Sequence, residues 1–168
     1  MKRRTALAGA ATALAAGLAG CSSGDNDTTN NDQNPVEPGD NTAGERTSQS
    51  LRLTVGEDLA DSEWQSVSAT YPRDRFVVQS AQHEAIGLGV DSSGDGNADE
   101  EFEASAISGV NNNNFSFSIE LDTGYTLMQG DTVLVEYPAV DNPSEPGEYE
   151  VEMAVNEVRT ETATITIE

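Results

Sequence analysis

The sequence predicts an all-β domain made of two packed sheets, and three features of its second half carry that prediction. Apolar and polar residues alternate in Phe115–Leu121, Tyr149–Val155 and Ala163–Ile167, as expected for strands with one buried and one solvated face. Turn-forming residues such as Asp122-Thr123-Gly124 separate these runs. No helical period extends beyond a few residues. We therefore expect an antiparallel β-sandwich of about seven to nine strands over residues 51–168.

Shorter alternating runs fill the rest of the domain and supply the remaining strands of the predicted sandwich. They lie at Leu51–Val55, Trp64–Tyr71, Phe76–Ser80, Ala85–Val90 and Thr132–Tyr137.

One segment resembles a known β-sandwich family. Pro146-Gly147-Glu148-Tyr149-Glu150-Val151 is similar to the approach to the penultimate strand of immunoglobulin-like domains. In that family a Tyr two residues before the second Cys forms a corner. The resemblance implies that Tyr149 forms this corner and that Val151 takes the Cys position. The alternative is that Tyr149 is an ordinary core tyrosine.

Residues 1–20 have the organisation of a cleavable secretory signal. Three basic residues (Lys2, Arg3 and Arg4) precede an Ala/Leu/Gly run that ends at Gly20. That run is too short to span a bilayer, which takes about 20 apolar residues. Because Arg3 and Arg4 are adjacent, the segment also resembles a twin-arginine signal, which exports folded proteins.

The signal ends in Leu18-Ala19-Gly20-Cys21, which resembles the lipobox of prokaryotic lipoproteins. The resemblance implies that Cys21 is lipidated and becomes the new N-terminus, anchored to the membrane. The sequence contains one Cys, and in an exported chain an unmodified single Cys suggests intermolecular pairing or a free thiol. Lipidation removes that difficulty.

Residues 21–50 are predicted to be a disordered acidic tether. From Ser22 to Ser50 the chain is built mainly from small polar and acidic residues, and its only aliphatic side chains are Val36 and Ala43. Such a composition buries too little apolar surface to offset the entropy lost on ordering. We therefore expect the folded domain to begin near residue 51.

The charge of the chain is strongly negative and excludes a class of partners. The chain has 30 Asp and Glu against 8 Lys and Arg, and no Lys follows Lys2. Nucleic acid is therefore not an expected partner, because binding it requires a basic surface. Dense carboxylates without Lys are typical of halophilic surfaces, on which molar salt screens self-repulsion. With the signal and tether, this composition resembles that of haloarchaeal cell-surface lipoproteins.

The segment from Asp91 to Asp99 resembles a calcium-binding loop. Oxygen-bearing residues recur at alternate positions and Gly96 stands at the sixth position, where such loops turn. The resemblance implies calcium as a cofactor. Phe102 stands where a bidentate Glu is expected, and the alternative is a solvated acidic loop. The predicted ligands are Asp91, Ser93, Asp95, the Asn97 carbonyl and Asp99.

Other motifs indicate modification rather than catalysis. Asn26-Asp27-Thr28 and Asn114-Phe115-Ser116 are glycosylation sequons, and Asn26 on the tether is the preferred acceptor because Asn114 is predicted to enter a strand. His83 is the one His, and no Gly-x-Ser-x-Gly motif accompanies it. We therefore expect no catalytic residues and no enzymatic activity.

Together these features predict a lipid-anchored module at the extracellular face of the membrane. Its expected role is adhesion, envelope structure or binding of another surface protein. The alternative is a secreted hydrolase or an accessory or substrate-binding subunit of a transporter, and a large concave pocket would favour that alternative.

Overall fold

Residues 34–168 are described by the structure, a computed structural model, and they form two antiparallel sheets. The strands are β1 (Val36–Pro38), β2 (Arg46–Thr54), β3 (Ser66–Thr70), β4 (Val77–Val78), β5 (Gly87–Asp91), β6 (Glu100–Phe102), β7 (Ile107–Asn113), β8 (Ser116–Leu121), β9 (Thr132–Asp141), β10 (Gly147–Val155) and β11 (Arg159–Ile167).

The first sheet has the order β1-β2-β9-β5-β6, with β4 also pairing with β9, and the second has the order β11-β10-β3-β8-β7. The predicted fold class is confirmed. Eleven strands stand in the described residues where seven to nine were expected: β7 was missed because asparagines, which are depleted in strands, form its second half, and β1 and β6 have only three residues each. Strands that short have no alternation to detect.

Aromatic and aliphatic side chains from both sheets meet in one core. Phe117 of β8 and Tyr137 of β9 stack with ring centroids 4.0 Å apart and planes 7° apart, so they join the two sheets directly. Leu53, Trp64 and Ile165 are fully buried in the same core. Burying a side chain of this size contributes about 1.5–3 kcal/mol, which is why the alternating runs fold with these residues inward.

The tyrosine corner predicted at Tyr149 is present. The Tyr149 hydroxyl donates a hydrogen bond to the Glu145 carbonyl at 2.6 Å, four residues upstream at the entry to β10. Val151 is fully buried two residues later. The sandwich is therefore immunoglobulin-like in this region, as the resemblance implied.

The predicted boundary between tether and domain at residue 51 is wrong. Val36 of β1 is fully buried and lies opposite Leu51 of β2. Strand β2 itself already begins at Arg46. Composition missed this segment because two of the inward positions of β2 are held by polar residues, Thr47 and Gln49. Of the predicted tether, residues 21–33 lie outside the described structure.

Among residues 34–168, no helix is long and apolar enough to cross a membrane; the helical segments there are the 3-10 turns His83–Ala85 and Ala104–Ala106.

Candidate functional site

The predicted calcium loop joins β5 to β6 and folds back over the outer face of the first sheet. The Asp99 N–H donates to the Val90 carbonyl at 2.8 Å, and Arg52 Nη1 donates to the Gly96 carbonyl at 3.2 Å. A Cβ atom on Gly89 would lie 2.7 Å from the Cβ of Ala98. Glycine at position 89 therefore allows the loop to approach the sheet closely.

Asp91 organises the first half of this loop. Asp91 is fully buried, and its Oδ1 accepts hydrogen bonds from the N–H groups of Ser93 (3.1 Å) and Gly94 (2.6 Å). Its Oδ2 accepts one from the Gly96 N–H at 2.7 Å. Burial raises the pKa of the Asp91 carboxyl, but the hydrogen bonds from Gly96, Gly94 and Ser93 outweigh it, so the net pKa is below the ordinary value.

Asp99 closes the same loop from its other end. Its Oδ2 accepts hydrogen bonds from the Ser92 hydroxyl (3.0 Å) and from the N–H groups of Ser92 (2.9 Å) and Ser93 (2.8 Å). The Ser92 hydroxyl and these N–H groups lower the pKa of the Asp99 carboxyl. Asp95 Oδ1 accepts from both the backbone N–H and the side-chain amide of Asn97.

The structure thus brings all five predicted ligand residues into one loop, where the three carboxylates bond to the loop's own N–H and O–H groups. Within residues 34–168, no group of three or more His, Cys, Asp or Glu side chains is arranged to hold a metal ion. A calcium ion bound here would replace several of these hydrogen bonds with coordination. Calcium binding stays a prediction.

Phe102, which occupies the position of the expected bidentate Glu, has a packing role. Its ring makes edge-to-face contacts with Trp64 and Tyr125, at centroid distances of 5.7 Å and 5.9 Å. The loop therefore ends in an aromatic cluster, and such contacts fix the entry into β6.

The five arginines of the domain all make local contacts. Arg46 pairs with Asp141, Arg75 with Glu145, and Arg159 with both Asp58 and Glu161. The guanidinium of Arg73 lies 4.0 Å from the centroid of the Phe115 ring, and Arg52 donates to the loop described above. Each arginine of the described domain thus stabilises a strand pair, a strand or a loop.

The grooves on the surface of the described domain are open to solvent. One of about 200 Å³ lies on the outer face of the first sheet, and its lining includes Arg52, Glu101 and Glu136. Another, of about 220 Å³, lies on the second sheet beside the turn between β7 and β8. Both are below the roughly 300–1,000 Å³ of pockets that enclose small ligands. A third groove, of about 460 Å³, reaches that range, but it is a shallow and widely open surface beside β1, lined in part by Glu37, Asp40 and Thr166.

The remaining predicted sites fall in two groups. Arg3, Arg4, Cys21 and Asn26 lie outside the described residues, so their predicted roles stay predictions. The expectation that Asn114 enters a strand is wrong: β7 extends through Asn113, and Asn114 is exposed in the turn before β8. Asn111, Asn112 and Asn113 belong to β7 although asparagine is depleted in strands.

No protein-family model matches the sequence, and no curated protein does either. Among solved structures, the domain is similar to BslA, described as a bacterial hydrophobin, at 15% identity and a TM-score of 0.42, covering 79% of this chain and 92% of that one. It is also similar to the collagen-binding domain of a Staphylococcus aureus adhesin, at 8% identity and a TM-score of 0.43, covering 78% and 93%. A third, BcpA, the major pilin subunit of Bacillus cereus, has 8% identity and a TM-score of 0.45, covering 80% and 40%.

Proposed function

We propose that this chain is a lipid-anchored, extracellular β-sandwich module that serves adhesion, envelope structure or binding of another surface protein in a halophile. The observation that carries the proposal is the surface of the sandwich. The outward positions of β2 and β11 are polar, and the grooves of the described domain are open to solvent, including one of about 460 Å³ beside β1. A surface of this kind offers area for contact with another macromolecule and little enclosure for a small substrate.

The position of the domain in the chain supports the same proposal. Only 12 residues lie between the predicted lipid attachment at Cys21 and Asn34, where the described domain begins. Twelve residues span at most about 45 Å even when fully extended. The module would then be held close to the membrane, where partners in the envelope are within reach.

The experiment uses the mature chain made soluble by Cys21→Ser, in molar salt. Envelopes from cells that lack the chain are titrated with it, and the proposal predicts saturable binding. In parallel, its melting is followed with millimolar monosaccharides, amino acids and short peptides. A transporter's substrate-binding subunit would be stabilised by its solute, by about 2.7 kcal/mol at 100 times the dissociation constant. Solute-dependent melting without envelope binding would contradict the proposal.

A further inference from the structure

The turn between β7 and β8 holds a sequon whose Asn114 side chain does not help to hold the turn. Asn114-Phe115-Ser116 spans this turn, and Asn114 is exposed there. No hydrogen bond from the Asn114 side-chain amide to another residue of 34–168 is present. In this run of four exposed asparagines, Asn112 and Asn113 use their side chains in hydrogen bonds within residues 34–168, whereas Asn114, the one that begins a sequon, does not.

Its neighbours hold the turn instead. Asn113 Oδ1 accepts hydrogen bonds from the N–H groups of Phe115 (3.0 Å) and Ser116 (3.1 Å), and Asn113 Nδ2 donates to Ser116 Oγ at 2.7 Å. The Val78 N–H donates to the Asn114 carbonyl at 2.9 Å. The backbone of the sequon is therefore fixed in an exposed turn, independently of the Asn114 amide.

The surface beside this turn suits a neutral, hydroxyl-rich ligand. The groove of about 220 Å³ on the second sheet contains no charged side chain, although acids cover much of the domain. The Ser and Thr hydroxyls and the Asn amides that line this groove can hydrogen-bond to sugar hydroxyls. The groove is lined by Ser68, Thr70, Asn111, Asn113, Ser116 and Ser118, with Asn112 and Phe117 completing it.

A second Asn-x-Ser sequence in the domain offers a contrast. Asn142-Pro143-Ser144 has proline at the middle position, which disqualifies it as a sequon. Asn142 is also buried, and its amide donates to the carbonyls of Asp40 (2.8 Å) and Thr42 (3.0 Å). Within residues 34–168, Asn114 alone combines the sequon with a free and accessible amide.

We infer that Asn114 is N-glycosylated on the folded domain and that the first sugars lie over the adjacent uncharged groove. The inference rests on the proposed extracellular location, because a chain exported folded presents its sequons to the transferase in their native surroundings. It reverses the sequence-based preference for Asn26. The donor is a glycan activated as a phosphate or diphosphate ester of a membrane lipid.

The reaction is a displacement at the sugar. Asn114 Nδ2 forms a bond to the anomeric carbon while the anomeric carbon–oxygen bond breaks. The lipid phosphate leaves with the bonding electron pair, and the amide nitrogen loses one proton to the base of the transferase. No oxidant or reductant takes part.

The test is mass spectrometry of the full chain purified from the cells that naturally produce it. Cleavage after Glu103 and Glu120 gives a peptide, residues 104–120, that contains one sequon. We expect this peptide to carry a glycan in the wild type and in Ser116→Thr, and to lack it in Asn114→Gln and Ser116→Ala. Asn114→Gln should melt like the unglycosylated wild type, because its side chain has no partner to lose.

Surface location is measured separately, by protease treatment of intact cells. An unmodified 104–120 peptide in chains that the protease reaches overturns the inference and leaves the proposed function standing. A chain found only inside the cell overturns the proposed function, and the inference with it. A glycan that persists on this peptide in Ser116→Ala also contradicts the inference, since the sequon hydroxyl would then be irrelevant.

Discussion

At the scale of single residues, the core contains polar groups with very different surroundings. Tyr71 and Tyr137 are both buried and lie in the same aromatic cluster around Phe117. The Tyr137 hydroxyl donates to the Gln79 carbonyl at 2.6 Å, whereas the Tyr71 hydroxyl has no hydrogen-bond partner among residues 34–168. Burial raises the pKa of Tyr71, so this hydroxyl stays protonated. A buried polar group without a partner costs stability.

These two tyrosines give a matched pair of substitutions. Tyr71→Phe should leave the free energy of unfolding unchanged or raise it by about 1 kcal/mol, because no bond is lost. Tyr137→Phe should lower it by about 1–3 kcal/mol, because the Gln79 carbonyl is left unsatisfied. Urea unfolding in molar salt measures both. A larger loss for Tyr71→Phe than for Tyr137→Phe would show that the Tyr71 hydroxyl has a partner in solution.

At the scale of elements, alternation predicted β8, β10 and the second half of β11 well, since each buries one apolar face. It missed the first half of β11, where Arg159 and Glu161 hold the inward positions. It could not predict β1, because three residues carry no period, and it missed the start of β2, because Thr47 and Gln49 point inward. The loop after Asp91 was found from its acid spacing. That spacing does not tell whether the carboxylates turn toward a cation or toward the N–H groups of the loop, because both arrangements satisfy the same oxygens.

The hairpin between β10 and β11 shows how local chemistry sets an element. Asn156 and Glu157 both have positive φ, 51° and 57°, in a turn closed by the Val158 N–H on the Val155 carbonyl. Such turns favour glycine at the second of these positions. Glu157→Gly should therefore raise the free energy of unfolding, by up to about 1 kcal/mol.

Asn156→Gly is the matched control for this hairpin. It also relieves positive φ, but it removes the bonds that Asn156 makes to the N–H groups of Gln65 and Ser66 and to the Glu63 carbonyl. It should lower the free energy of unfolding by about 1–3 kcal/mol. A shift of the urea midpoint in the same direction for both glycine variants would contradict the opposite effects predicted here for backbone strain and for side-chain hydrogen bonds.

The loop from Asp91 to Asp99 is tested by melting at constant high ionic strength, with millimolar calcium or with a chelator. The sequence prediction is that calcium raises the melting temperature of the wild type more than that of Asp95→Ala, because a cation bound only to the folded state stabilises it by mass action. Equal shifts would mean that calcium only screens the acidic surface. The hydrogen bonds to Asp91 and Asp99 would then suffice to order the loop.

At the scale of the whole molecule, charge is the dominant feature. Residues 34–168 contain 27 acids and 5 arginines. On the outer face of β10, Glu148, Glu150 and Glu152 follow one another at alternate positions, about 7 Å apart, and their partners on β11 are threonines. Repulsion of this kind opposes folding at low ionic strength and is screened within about 3 Å at 1 M salt.

The melting temperature should therefore rise steeply between about 0.1 M and molar NaCl or KCl. Glu150→Gln should stabilise the domain at the low end by a few tenths of a kcal/mol and have no effect at the high end. Glu161→Gln is the control, since it loses the 2.8 Å contact with Arg159 and should not stabilise at either end. Melting that does not depend on salt would remove the halophilic explanation of the acidity.

The central claim, a module anchored outside the membrane by lipid on Cys21, is tested most directly by the mass of the mature N-terminal peptide together with membrane fractionation. For the wild type we expect a peptide that begins at Cys21, carries lipid and sediments with membranes. Cys21→Ser should instead release the protein into the medium, provided that export still occurs. A wild-type peptide without lipid, together with a Cys21→Ser chain that stays in the membrane fraction, would contradict the claim.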